Sequence, residues 1–395
     1  MYDFEHLVER RNTDSYKWDC NEEVFGRSDL LPLWVADMDF KCPQPLLEAL
    51  SKRIEHGILG YTSRTEGYFE SIISWMERRH GWRMEREWLL YCPPGIMPAV
   101  TMLINILSQP GDGIIIQTPN YSSLIDSILD NDRRMIENPL IFKNGRYKVD
   151  FEDLNAKIDQ STKVLLLCNP NNPTGMVWKK DDLARLGHIC RDRGIFIISD
   201  EVHCDFTYGD SYHIPLGSVS KEIAEISATC FSPNKTFNTG GLLTASIVIP
   251  NPNIREQYLS LLKTYQMRLD NVFGRIAVEE VYSNPECEKW LDDLLVYIEA
   301  NLDYGVERIN SIKGLMTTKP EGTYLLWVDF SGLGLDDTRL RELLVNEAKV
   351  GFSDGLEFGK DFGQFMRINT ACTRATLAEA LDRVESAINS IIIDR

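Results

Sequence analysis

Five short apolar runs cross the middle of the chain: 113–117 (GIIIQ), 164–168 (VLLLC), 195–199 (IFIIS), 226–231 (ISATCF) and 245–249 (ASIVI). Each ends in polar or turn-forming residues. Runs this continuous suit strands buried on both faces. Helix-period segments separate them at 98–107, 121–129 and 180–193, the last with Leu183, Leu186 and Ile189 on one stripe. Buried strands alternating with amphipathic helices predict an α/β fold, a mostly parallel sheet flanked by helices.

Downstream, 254–310 is dominated by helical signal, 323–330 (TYLLWVDF) and 365–369 read as strands, and 377–393 reads as a closing helix. No Gly/Ser linker or repeat divides the chain, so its domains are expected to share interleaved segments. Residues 1–45 are expected to form an N-terminal arm and part of a small domain. Residues 46–280 would form a large domain, and 281–395 the rest of a small α+β domain built from both chain ends.

With 42 Lys and Arg against 59 Asp and Glu in 395 residues, the net charge of −17 repels phosphate backbones and anionic membranes. No nucleic-acid or membrane partner is expected. Nine scattered cysteines without a C-x-x-C pair read as reduced thiols. The charged start MYDFEHLVERR does not resemble a signal peptide, and no run reaches the ~18 apolar residues of a membrane span. The expected location is cytoplasmic.

Ligands of open parallel sheets bind at the carboxyl ends of the strands. The run at 164–168 is followed by Asn169-Pro170-Asn171-Asn172-Pro173-Thr174-Gly175, whose Asn-Pro steps disfavour helix and build a fixed turn. After 195–199 comes Asp200-Glu201-Val202-His203-Cys204-Asp205, and after 226–231 comes Ser232-Pro233-Asn234-Lys235. A lysine facing an acid on one rim suits Schiff-base chemistry, the acid holding a protonated ring nitrogen. Taken singly, Lys235 could be a surface lysine, Asp200 a helix cap, Asn172 a structural turn residue, Tyr121 rim packing and Arg367 half of a surface ion pair. DEVHCD could also be read as a metal cluster, but a carboxylate pair with one His and one Cys lacks established ligand spacing. No metal is expected.

NPNNPTG, DEVH and SPNK, in that order and separated by about 28 and 35 residues, resemble the fold-type I pyridoxal-phosphate enzymes of the class I/II aminotransferase superfamily. PLWVADMDF at 32–40, LGYTSRTEGY at 59–68, RRHGW at 78–82, PGDGIIIQTPNY at 110–121 and MRINTAC at 366–372 are similar to its C–S lyase branch, the cystathionine β-lyase and cystalysin type. The likeness runs nearly end to end.

The resemblance implies a cofactor, pyridoxal 5'-phosphate, and a role for each matching residue. Lys235 would hold the cofactor as a Schiff base and then act as the base at Cα. Asp200 would pair with the pyridinium nitrogen and Asn172 with the phenolic oxygen, where His203 replaces the usual tyrosine. Tyr121 would stack on the ring. Gly95 and Ile96 would receive the phosphate at a helix start, with a hydroxyl from Ser232. Tyr61 would reach the phosphate of a neighbouring subunit, which implies a homodimer with composite sites. Arg367 would clamp the substrate α-carboxylate, with the backbone near Ala36 approaching it and Arg374 a weaker candidate.

Several positions depart from the pattern: Asn234 stands where the branch usually has Ser, Pro94 where a smaller residue is usual, and 264–273 (TYQMRLDNVF) is unlike the commonest lyase versions. Leu243 occupies the place of an arginine that aminotransferases commonly use for the phosphate and that the lyase branch lacks. The implied activity is α,β-elimination from L-cystathionine or a related S-substituted cysteine. The alternatives are an aminotransferase acting on an L-amino acid and a 2-oxo acid, and an interaction protein in which catalysis is secondary.

Overall fold

The computed structural model describes residues 2–393. Seven strands form the central sheet, in the spatial order Leu89–Tyr91, Ser246–Val248, Ser227–Phe231, Phe196–Asp200, Thr162–Cys168, Gly113–Thr118 and Arg134–Pro139. The last five in that order run parallel, whereas Ser246–Val248 is antiparallel to both its neighbours. All five apolar runs are therefore strands, each within two residues of its predicted limits at either end. The edge strands Leu89–Tyr91 and Arg134–Pro139 lacked that signature, and the second is only partly buried.

Alternate side chains of one strand enter two different cores. Ile114, Ile116, Val164, Leu166 and Ile198 pack under the helices Ile96–Leu107 and Pro252–Thr264. Ile115, Leu165, Leu167 and Ile197 pack under the helix Lys180–Arg193. Each fully buried Leu, Ile or Val contributes about 1.5–3 kcal/mol. That double burial is why the runs are continuously apolar.

The 254–310 region resolves into three helices, Pro252–Thr264, Val272–Ser283 and Pro285–Ser311, each capped by an asparagine side chain: Asn251, Asn271 and Asn284. The closing helix runs Arg374–Ile393, starting earlier than its apolar period shows because the Thr373 hydroxyl accepts from the Thr376 N–H at 3.1 Å. None of the described helices is long and apolar enough to cross a membrane.

The two chain ends meet. Leu31–Pro32 pairs in parallel with Val350–Gly351, beside a three-stranded sheet of Leu325–Asp329, Phe365–Asn369 and Ser353–Asp354. Asn369 donates through Nδ2 to the carbonyls of Val35 and Asp37, both at 2.6 Å, and Asn238 donates to those of Met38 and Phe40, both at 2.9 Å. Residues 34–40 thus form a strap stitched to the C-terminal sheet on one side and to the segment after Lys235 on the other. A buried ion cluster holds its far end, with Lys17 Nζ 2.8 Å and Arg10 Nη1 2.7 Å from the Asp39 carboxylate.

Candidate active site

Strand register builds the rim of the site. Cys168 pairs with Asp200 and Asp200 with Cys230, so the polar segments that follow these three strands leave the sheet side by side. A cavity of about 300 Å³ opens there, lined by Ala36, Tyr121, Asn172, Asp200, His203, Lys235 and Arg367 among others. Residues from six separate motifs converge on it.

Lys235 sits in the short helical turn Pro233–Thr236, which the Ser232 hydroxyl caps by accepting from the Asn234 N–H. Its Nζ donates to the Ala36 carbonyl oxygen at 2.5 Å. Burial first, and then the positive charge of Arg367, push the ammonium down to about 8. Asp200 is buried at its strand end and accepts from the Val202 N–H at 3.1 Å. Burial raises its carboxyl to about 6. A cationic hydrogen-bond donor in the cavity would lower that cost.

The three asparagines of the NPNNPTG turn divide their work. Asn169 Oδ1 accepts from the Trp178 N–H, and Asn171 Oδ1 accepts from the Thr174 N–H and hydroxyl, so both knit the turn itself. Asn172 faces the cavity and accepts from Arg367 Nη1 at 3.1 Å. Gly175 closes the turn at φ +69°, where a Cβ would lie 2.2 Å from that of Pro320. Only glycine lets the 320–323 loop close in, and that loop leads to Tyr324, whose hydroxyl donates to Ala36 O at 2.9 Å.

Arg367 is 6% exposed, which removes the surface ion-pair reading. Its partners are neutral acceptors: the Asn172 amide oxygen, the Trp34 carbonyl and the Ser353 hydroxyl. Its Nε has no partner, and the Phe358 ring lies 5.0 Å from the guanidinium carbon. Burial lowers its pKa. A buried cation held by neutral groups keeps its charge available for an incoming carboxylate.

His203 is buried and its Nδ1 has no partner. Burial, followed by the charges of Lys235 and Arg367, holds it well below the usual histidine range, so the ring is neutral. Glu201 and Asp205 of the same run bond within the protein instead. Glu201 binds the His213 ring at 2.8 Å, the Ser199 hydroxyl and the Leu216 N–H. Asp205 binds His80 Nε2 at 2.9 Å and the Thr236 hydroxyl at 2.6 Å. His80, Cys204 and Asp205 bring one potential ligand atom each within 4.8 Å, a grouping whose carboxylate and imidazole are already bonded to each other.

The remaining candidates lie outside the cavity lining. Gly95 precedes the helix Ile96–Leu107 at φ +149°, and a Cβ built on it would meet open space. Ser232 donates its hydroxyl to the Thr244 carbonyl at 2.6 Å, so that proton is already engaged within the chain. Tyr61 is 93% exposed and Leu243 is also exposed. Arg374 binds Asn301 Oδ1 at 2.7 Å and stacks over Tyr304, which removes it from the site. Among the departures, Asn234 Oδ1 accepts from the Thr239 and Thr244 hydroxyls, and Asp270 within 264–273 pairs with Arg64 at 2.6 Å.

Sequence reading missed Tyr16, Trp34, Ser353, Glu357 and Phe358, which complete the wall of the cavity. The Tyr16 and Trp34 rings lie 5.0 Å apart with their planes tilted by 59°. Trp34 lies within a matched segment, but its contribution is a carbonyl, which side-chain identity does not reveal.

Residues 28–384 match the family described as aminotransferase class I and II. The chain is 38% identical over 388 residues to "Cystathionine beta-lyase PatB" of Bacillus subtilis (strain 168), covering 98% of this chain and 100% of that protein. It is 32% identical over 395 residues to "Protein MalY" of Escherichia coli (strain K12), covering 99% and 100%. Among solved structures, a PLP-bound putative aminotransferase from Clostridium difficile 630 is 43% identical with a TM-score of 0.96, covering 98% of this chain and 100% of that one. Cystalysin from Treponema denticola, with its pyridoxal 5'-phosphate cofactor, is 34% identical with a TM-score of 0.94, covering 99% and 100%. With its lysine, acid and arginine on one cavity and likeness along its whole length, the chain belongs to the class I and II aminotransferase family, in its C–S lyase branch.

Proposed function

We propose that the protein is a pyridoxal-phosphate-dependent carbon–sulfur β-lyase that releases pyruvate, ammonia and a thiol from L-cystathionine or related S-substituted cysteines. The observation that carries the reading is the convergence of Lys235, Asp200 and Arg367 on one cavity, with the two titrating groups shifted toward neutrality by burial. Whole-length similarity to a named cystathionine β-lyase supports it.

The residues fit the cofactor. His203 Nδ1 is a buried polar atom without a partner, Asp200 is a buried acid lacking a cation at hydrogen-bond distance, and open space lies above Gly95 at a helix start. When bound, pyridoxal phosphate supplies an electron sink for the pair left at Cα. Lys235 would hold it covalently, Asp200 would keep its ring nitrogen protonated, and Asn172 would donate to its phenolic oxygen. Tyr121 would lie against the ring, and the N–H groups of Gly95 and Ile96 would face the phosphate, the Ser232 hydroxyl joining them only by giving up its bond to Thr244.

Arg367 would hold the substrate α-carboxylate, exchanging a neutral acceptor for a charged one. Lys235, once free, would take the Cα proton. Burial, which lowers its ammonium in the cofactor-free cavity, favours the free amine that can act as base and then return a proton to the departing sulfur. In this reading, residues 46–280 carry the cofactor, while 1–45 and 281–395 bring the substrate-binding arginine and the strap. The working form would be a cytoplasmic homodimer with Tyr61 serving the neighbouring site.

The test is incubation of purified holoenzyme with L-cystathionine and no 2-oxo acid. Pyruvate and thiol in equal amounts are expected, and their absence would overturn the reading. A second reading, aminotransferase, is favoured by the 43% identity to the structure described as a putative aminotransferase. It requires conversion of the bound cofactor to its amine form by an amino acid and reversal by a 2-oxo acid.

A further inference from the structure

The cavity carries one charged side chain to which the reading above gives no work, Glu357. It belongs to the short turn Gly355–Phe358, between the strands Ser353–Asp354 and Phe365–Asn369. The turn is held from three directions. The Asp354 carboxylate accepts from the Leu356 N–H at 2.9 Å, Glu357 Oε1 accepts from the Asp354 N–H at 3.3 Å, and the Phe358 carbonyl accepts from the Asn120 N–H at 3.0 Å, next to Tyr121. The reciprocal cap fixes the direction of the Glu357 side chain.

Position divides the two acids of the cavity. Asp200 is buried at a strand end, whereas Glu357 stands at the solvent side with Tyr16 and Trp34. Burial raises the Glu357 carboxyl, the Arg367 guanidinium opposes that rise and favours the acid's charged form, and the acid in turn favours the guanidinium's. A substrate that gives its α-carboxylate to Arg367 and its amine to the Lys235 side therefore leaves Glu357 near the mouth, where the substituent on sulfur must extend.

We propose that Glu357 is a specificity-determining residue, favouring substrates whose sulfur substituent ends in an ammonium, such as the distal amino group of L-cystathionine, over those ending in a lone carboxylate. The inference rests on the C–S lyase reading for the identity of the substrate. A partly exposed ion pair changes affinity by up to about fivefold, and like-charge opposition adds a penalty, so the two ends should differ by about tenfold.

The experiment compares S-(2-aminoethyl)-L-cysteine, S-(2-hydroxyethyl)-L-cysteine and S-carboxymethyl-L-cysteine, which are close in size and differ in charge. On wild-type holoenzyme, kcat/KM from pyruvate release should fall in that order, about tenfold from first to last and mainly through KM. Glu357→Gln keeps an acceptor for the Asp354 N–H and should bring the ratio within about twofold. Dissociation constants for the same compounds, read from cofactor absorbance, should follow the same order whether or not pyruvate appears. Equal constants in the wild type, or a ratio untouched by Glu357→Gln in a variant of unchanged melting temperature, would overturn the proposal. Retained binding order without pyruvate would support the role of Glu357 and overturn the lyase reading alone.

Discussion

Arg367 Nη1 donates to Asn172 Oδ1 at 3.1 Å, joining two residues 195 positions apart in the chain. In the proposed reading one would anchor the substrate carboxylate and the other the cofactor oxygen, so the two binding functions would share a bond. Arg367→Ala should raise the KM for L-cystathionine by roughly 30- to 1,000-fold, the usual cost of truncating a buried charged hydrogen bond. Arg367→Lys should recover little, since one ammonium cannot reproduce the planar fork. Steady-state kinetics, with circular dichroism as a folding control, check both.

Asp200 makes stability depend on pH in the cofactor-free protein. Its carboxyl is raised from 3.8 to about 6 by burial. Between those values the folded chain holds a proton that the unfolded chain has lost, so stability falls as pH rises through about 4 to 6 and stays low above it. The loss should be on the order of 3 kcal/mol. Urea unfolding of the cofactor-free wild type should show that slope, Asp200→Asn should flatten it, and added pyridoxal phosphate should reduce it.

Lys235→Ala should lose the visible absorbance of the covalently held cofactor. Its kcat should fall by roughly 10²–10⁴-fold or more, because the chain loses its only proposed base. Absorbance retained in the purified variant would assign the link to a different amine.

The ion cluster behind the strap should be costly to break. Lys17 is buried and lies 2.8 Å from the Asp39 carboxylate, which also accepts from Trp18 Nε1 at 3.0 Å. Lys17→Met should destabilise the fold by about 3–5 kcal/mol, since it removes a buried partner of that carboxylate. The urea midpoint reads this directly. A raised KM in the same variant would show that strap position, through Trp34 and Ala36, reaches the site.

Tyr61 is the test of composite sites. If it serves the neighbouring subunit, Lys235→Ala and Tyr61→Ala chains should each be impaired alone, yet recover about a quarter of wild-type activity after subunit exchange, because half the dimers then contain one intact site. No recovery from two impaired chains would place Tyr61 in its own subunit's site, and an unimpaired Tyr61→Ala chain would place it outside the site.

The amino-acid sequence by itself determined the five inner strands of the sheet and the polar segments that follow them. Strands buried on both faces must be continuously apolar, and functional residues that directly follow such strands are local in the chain, so Asn172, Asp200 and Lys235 were legible from their neighbours. Only the tertiary structure decided the rest of the cavity. Tyr16, Trp34 and Glu357 come from both chain ends and carry no periodicity that marks them, and they meet at the cavity where the strap is stitched between the C-terminal sheet and the segment after Lys235. Folding also sorted identical residue types. Asn172 turns toward Arg367 while Asn169 and Asn171 knit their own loop, and the Ser232 hydroxyl goes to Thr244. Hydrogen-bond partners are a property of packed surfaces, and a sequence read in one dimension does not contain them.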